Sequence, residues 1–213
     1  MNAHTQKLTI PGPAGLLEIA IDRPEAAPIG TALVAHPHPL FGGTLDNKVA
    51  QTLARACVQC GFITVRPNFR GVGQSAGTHD EGNGEVDDLL TALEYLWQQA
   101  PGLSDLPFIL AGFSFGAAVQ TRVAQRLHSA EKTPLQMILV GLGLGRFEVP
   151  TVPANTLLIH GEQDDTIALT AVLDWARPQE LPVTVIPGAD HFFHRRLPRI
   201  RGLVADALTL SLL

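Results

Sequence analysis

Two hydrophobic periods take turns along this chain. Leu16–Asp22 alternates apolar and polar positions, which predicts an early antiparallel strand with Lys7–Ile10 as its partner. Ala32–Ala35 is a short unbroken apolar run that ends at His36. Leu45–Cys60 repeats at helical spacing through Val49, Leu53, Ala56 and Cys57, and Gly61 stops it. Phe62–Val65 predicts the next strand. Val86, Leu89, Leu90, Leu93 and Trp97 then fall on one helical face, with Glu85, Asp87 and Asp88 in the first turns, where the helix dipole favours carboxylates. Phe108–Ala111 predicts a strand and about 115–128 a helix. Met137–Val140, Thr156–His160 and Val183–Ile186 read as further strands, with helices over about 168–177 and 197–212. Unbroken apolar strands separated by helices are strands buried on both faces. The pattern therefore predicts an α/β fold with a mostly parallel sheet covered on both sides.

Composition narrows this picture. With 213 residues, 46% of them hydrophobic and 16% charged, the chain is expected to form one compact domain over residues 1–213. A formal net charge of −5 argues against a nucleic-acid partner. No apolar run has the length of a membrane span, and Met1–Ile10 lacks the basic and apolar regions of a signal peptide. A cytoplasmic monomer or homodimer with no membrane partner is the expectation. The two cysteines form Cys57-Val58-Gln59-Cys60 at the end of a predicted helix, not at its start. Two further ligands at metal-binding spacing are missing nearby, so they are read as packed thiols.

The candidate chemistry begins at Gly112-Phe113-Ser114-Phe115-Gly116, a G-x-S-x-G segment between a predicted strand and a predicted helix. From this composition chance would produce about 0.04 such motifs, and the strand–turn–helix setting adds a physical reason for it. Small residues two positions either side of a serine let strand and helix backbones pass close together. Ser114 would then stand at a helix N-terminus, which favours a developing negative charge. A serine hydroxyl needs a general base, and the base needs an orienting carboxylate. Downstream, Leu157-Leu158-Ile159 leads to Asp164 and Asp165, and Val183–Ile186 leads to Asp190 and His191. Both segments follow strand ends, where α/β sheets carry their sites. Asp164 is the expected acid and His191 the expected base; Asp165 and Glu148 are the competing acids.

Across nearly its whole length the chain resembles the α/β-hydrolase superfamily, and within it the small, lidless, dienelactone-hydrolase-like bacterial hydrolases. The resemblance is carried by His36-Pro37-His38-Pro39-Leu40-Phe41-Gly42-Gly43, by Asn68-Phe69-Arg70-Gly71-Val72-Gly73-Gln74-Ser75, by the serine segment, by His160-Gly161-Glu162-Gln163-Asp164-Asp165 and by Gly188-Ala189-Asp190-His191-Phe192-Phe193. It implies an α/β-hydrolase fold of about seven or eight strands with no cap domain, and it selects Asp164 over Asp165. Dienelactone hydrolases proper carry a cysteine where this chain has Ser114, so lactone chemistry does not transfer. The first loop reads His-Pro where many members have His-Gly. Pro37 and Pro39 have no N–H to give. The resemblance thus implies an oxyanion hole made by the backbone N–H groups of His38 and Phe115.

These readings point to a carboxylesterase-like serine hydrolase that cleaves a small carboxylic ester or thioester through an acyl-enzyme on Ser114, with no cofactor. A small-peptide amidase using the same three residues is the enzymatic alternative. A hydrolase-fold interaction protein with vestigial chemistry is another. A metal-dependent hydrolase would draw on His36, His38, His191 and His194. His36 is otherwise read as a loop brace, His160 as a strand end, Arg70 as a loop-fixing cation, and His194–Arg201 as the solvated entry to the last helix.

Overall fold

The computed structural model describes residues 5–145 and 148–213; Met1–His4, the start of the polar segment noted above, and Arg146–Phe147 lie outside the described residues. Among the described residues, eight strands form one sheet. They are β1 (Thr5–Gly12), β2 (Gly15–Asp22), β3 (Gly30–Ala35), β4 (Phe62–Pro67), β5 (Phe108–Phe113), β6 (Gln136–Val140), β7 (Leu157–Gly161) and β8 (Val183–Ile186), in the order β1-β2-β4-β3-β5-β6-β7-β8. β1 pairs with β2 and β2 with β4 antiparallel; every other pairing is parallel. The early hairpin and the buried parallel strands are those the hydrophobic pattern predicts.

Among the described residues, five α-helices cover the sheet: α1 (Lys48–Gln59), α2 (Asn83–Trp97), α3 (Phe115–His128), α4 (Leu169–Ala176) and α5 (Leu197–Ser211). Alternate residues of the buried strands face opposite layers. Ala32 and Val34 of β3 pack with Val49, Leu53 and Cys57 of α1 and with Ile200 and Val204 of α5. Leu33 and Ala35 pack instead in the core with Leu89 and Leu93 of α2, Val119 and Val123 of α3, and Val172 of α4.

Capping chemistry sets where α1 and α2 begin. α1 starts at Lys48, not Leu45, because the Asn47 side chain accepts the N–H groups of Val49 (2.9 Å) and Ala50 (3.3 Å). α2 starts after Gly82, whose φ of 87° is left-handed, and Glu85 reaches back to the Gly82 N–H at 2.9 Å. The order of strands also locates the site. The chain steps from β3 outward to β4, then crosses back to β5 on the other side of β3. Loops leaving β3 and β5 therefore diverge, and a crevice opens at their C-terminal ends.

Candidate active site

Ser114 occupies the sharp turn between β5 and α3, with φ 55° and ψ −119°. A non-glycine residue in this region is strained, and the surrounding structure holds it there. Its N–H donates to the Val140 carbonyl of β6 (2.9 Å), and its own carbonyl accepts the Ala118 N–H inside α3 (3.2 Å). The flanking glycines are required by distance. A Cβ at Gly112 would lie 2.6 Å from the Ala117 nitrogen, and one at Gly116 would lie 2.6 Å from the Ala35 carbonyl oxygen. Gly116 thus lets the loop after β3 sit directly on the first turn of α3.

His191, just after β8, is buried and lies between Ser114 and Asp164. Its Nε2 is 3.0 Å from Ser114 Oγ, and its Nδ1 is 2.7 Å from Asp164 Oδ2. A carboxylate can only accept, so Nδ1 carries the proton and Nε2 is left to accept from the serine hydroxyl. Phe113 packs against the imidazole, with ring centroids 5.1 Å apart. Asp164 sits in the turn after β7, and its other oxygen accepts the N–H groups of Ile167 (2.7 Å) and Thr166 (2.9 Å). Burial pushes its carboxyl pKa up. The His191 hydrogen bond and charge and the two amide donors outweigh that and hold it below the ordinary value. Asp165 is exposed, so of the two adjacent candidates Asp164 is the one that reaches His191. Glu148 is exposed as well.

His36 is fully enclosed. Its Nδ1–H donates to the Pro37 carbonyl (2.6 Å) and its Nε2 accepts the Phe69 N–H (3.0 Å), tying the loop after β3 to the loop after β4. Burial drives its pKa down to about 4, although the bond to Pro37 opposes the shift, so the ring is neutral. The carbonyl of His38 accepts the N–H groups of Phe41 (3.1 Å) and Gly43 (3.0 Å). The His38 ring lies 4.8 Å from that of Phe115. Both residues expected to donate to an oxyanion therefore lie side by side.

Several residues near the site carried little or no sequence signal for the part they play. Gly143 donates its N–H to the Ser114 carbonyl (3.1 Å), and a Cβ there would stand 3.0 Å from the Ser114 carbonyl carbon. His79 rests against both His38 and Phe115 and is bound to Glu85. His160 is buried within β7, its Nε2–H donating to the Ile167 carbonyl (2.9 Å) and lying 3.5 Å from Asp164 Oδ2. It is part of the acid turn as well as a strand residue. In the sequence that turn shows as the segment His160–Asp165 that follows an apolar run and carries part of the family resemblance.

The remaining candidates have structural employment. Arg70 grips Asp88 with two bonds, 3.0 and 2.9 Å, and donates to the Gly84 carbonyl (2.6 Å). Asp88 and Glu85, expected simply to complement the α2 dipole, are buried tethers for the loop after β4. His194 pairs with half-buried Asp190, and Arg195, Arg196, Arg199 and Arg201 face solvent at the start of α5. The four candidate metal-binding imidazoles are engaged separately, and among the described residues no three His, Cys, Asp or Glu side chains gather at metal-holding distance. Cys57, in the last turn of α1, is buried and Cys60, just past its end, is half-buried, both as free thiols; burial, with the neighbouring Cys60, pushes the Cys57 thiol up to about 12. Among the described residues no helix is long and apolar enough to cross a membrane.

Comparison with known proteins places this geometry in a family. The serine aminopeptidase S33 family matches residues 42–143. An α/β serine hydrolase without a lid from Xanthomonas campestris is 38% identical, with 98% of this chain and 95% of that chain covered and a TM-score of 0.85. An α/β serine hydrolase homologue from Coxiella burnetii is 37% identical over 94% of this chain and 96% of that one, with a TM-score of 0.81. An uncharacterised protein of Rickettsia prowazekii is 28% identical over 92% of this chain and 86% of its own length. A mostly parallel eight-stranded sheet, a strained serine after β5 and relatives above 30% identity along nearly the whole chain lead to one conclusion: this protein belongs to the lidless α/β serine hydrolases.

Proposed function

We propose that the protein cleaves a small carboxylic ester or thioester through an acyl-enzyme on Ser114. The observation that carries this reading is His191, whose two ring nitrogens lie 3.0 Å from Ser114 Oγ and 2.7 Å from Asp164 Oδ2. Ser114 Oγ attacks the substrate carbonyl as its proton passes to His191 Nε2. Asp164 keeps the imidazole in the correct tautomer and stabilises the imidazolium. The backbone N–H groups of His38 and Phe115 receive the oxyanion; losing one such donor typically costs about 2.7–4 kcal/mol of transition-state stabilisation. The tetrahedral intermediate collapses, and His191 returns the proton to the leaving alkoxide or thiolate. Water, deprotonated by His191, then attacks the acyl-enzyme and releases the carboxylic acid and free Ser114.

A second reading, cleavage of a small peptide amide, is favoured by the match to the serine aminopeptidase family. An aminopeptidase needs a carboxylate to receive the substrate's α-ammonium group. The buried carboxylates beside the site, Asp164 and Glu85, already have partners: Asp164 holds His191 and two amides, and Glu85 holds His79 and two amides. We therefore rank ester above amide. The test is a series of p-nitrophenyl esters of increasing acyl length beside aminoacyl p-nitroanilides, run on the wild type and Ser114→Ala, with fluorophosphonate labelling. Ester turnover and labelling that vanish in Ser114→Ala support the proposal. Faster turnover of anilides moves the protein to the amidase reading. Folded wild type that takes no label at Ser114 overturns both.

A further inference from the structure

A fully buried carboxylate outside the Ser114–His191–Asp164 array calls for an explanation, because taking a charge out of water is costly unless its hydrogen bonds are replaced. Glu85, in the first turn of α2, has no measurable exposure. One of its oxygens accepts from His79 Nδ1 (2.7 Å) and from the Asp80 N–H (2.9 Å), and the other accepts the Gly82 N–H (2.9 Å). All three partners belong to the loop after β4. The imidazole that Glu85 holds packs on its neighbours with its ring. It meets two rings: His38, with centroids 4.8 Å apart, and Phe115, with centroids 5.3 Å apart. Those rings also touch each other at 4.8 Å, closing a triangle. Phe115 is backed edge-on by Phe69 (5.4 Å), whose N–H is held by His36.

We propose that His79 is a positioning residue for the oxyanion hole. It rests on the reading given under Proposed function, in which His38 and Phe115 supply the two backbone donors. Those donors come from different elements, the loop after β3 and the first turn of α3. Nothing in the chain's connectivity keeps their N–H groups converging on one point. A ring fixed by Glu85 and packed on both side chains supplies that restraint. Electrostatic stabilisation of an oxyanion depends on donors being fixed before the charge appears, and a small misplacement is expensive.

Two substitutions separate this role from plain packing. His79→Asn keeps a donor for Glu85 and removes the ring; His79→Phe keeps a ring and removes the bond to Glu85. We expect His79→Asn to lower kcat for a p-nitrophenyl ester by about tenfold with KM little changed. Affinity for a trifluoromethyl ketone, whose adduct with Ser114 carries an oxyanion, should fall by about the same factor. His79→Phe should lie between it and the wild type. Melting temperature and activity are measured together, with kcat taken well below the transition. The inference is overturned if His79→Asn keeps wild-type kcat and ketone affinity, or if kcat recovers fully once temperature is lowered. If His79→Asn does not fold, His79→Phe decides: a fall in ketone affinity matching its fall in kcat supports the clamp, and unchanged affinity overturns it. Failure of wild type to be labelled at Ser114 would instead remove the underlying hydrolase reading, a separate outcome.

Discussion

Two carboxylate–imidazole pairs stand near Ser114, and the same 2.7 Å bond builds both: Asp164 to His191, and Glu85 to His79. In each, a buried carboxylate fixes Nδ1 and also accepts two backbone N–H groups. They differ in what the rest of the ring meets. His191 Nε2 reaches a hydroxyl, so that ring can exchange a proton with it. His79 presents its ring to two other rings, so its means of action is placement. A buried Asp–His or Glu–His bond is therefore no sign of proton transfer by itself. The partner of the second nitrogen decides.

The sharpest test of this contrast exchanges the carboxylates' consequences. Asp164→Asn should reduce ester hydrolysis by about 10⁴-fold, because the imidazole loses its correct tautomer, with little change in melting temperature. Asp165→Asn, one residue away and exposed, should leave the rate unchanged. Steady-state kinetics on the two variants check both statements. Glu85→Ala should show the opposite balance. It strands three donors and should cost about 3–5 kcal/mol in a urea unfolding titration, while kcat falls only about tenfold. A rate loss of 10⁴ in Glu85→Ala would erase the distinction between the pairs.

A smaller effect separates both pairs from His36, an imidazole held without any carboxylate. Its pKa is about 4 when folded, against an ordinary 6.5. The unfolded chain therefore takes up the proton first. Stability should fall as pH drops from 6.5 to 4, by on the order of 3 kcal/mol in total. Unfolding titrations across that window check it, and His36→Gln should flatten the dependence. The smallest effect is expected at the cysteines. With its thiol pushed up to about 12, Cys57 should resist iodoacetamide at pH 8 until the protein is unfolded. Labelling followed by intact mass measures it.

Much of the first pair was legible in the chain, and little of the second. Ser114, Asp164 and His191 each follow an apolar run that can only be a buried strand, and parallel strands end on one side of a sheet. Their meeting was therefore implied by order and spacing. Gly112 and Gly116 announced the elbow for a steric reason that the backbone distances bear out. His79 and Glu85 sit in a loop and a helix start, and their spacing has no period. Glu85 looked like an ordinary first-turn carboxylate, a reading that helix dipole physics supports equally well. Gly143 gave no hint either, because its partner, the Ser114 carbonyl, lies on a different strand–helix unit.

Sequence alone thus determined the alternation of strands and helices, the strained serine, the base, and a pair of adjacent candidate acids between which the family resemblance chose, because each depends on local steric and hydrophobic rules. Tertiary structure decided which of two adjacent aspartates reaches His191, how the loops after β3, β4 and β6 close on the elbow, and that His79 joins His38 to Phe115. Those contacts unite segments 27 residues or more apart in the chain. Burial there forces each polar group to find a partner, but sequence spacing does not say which one.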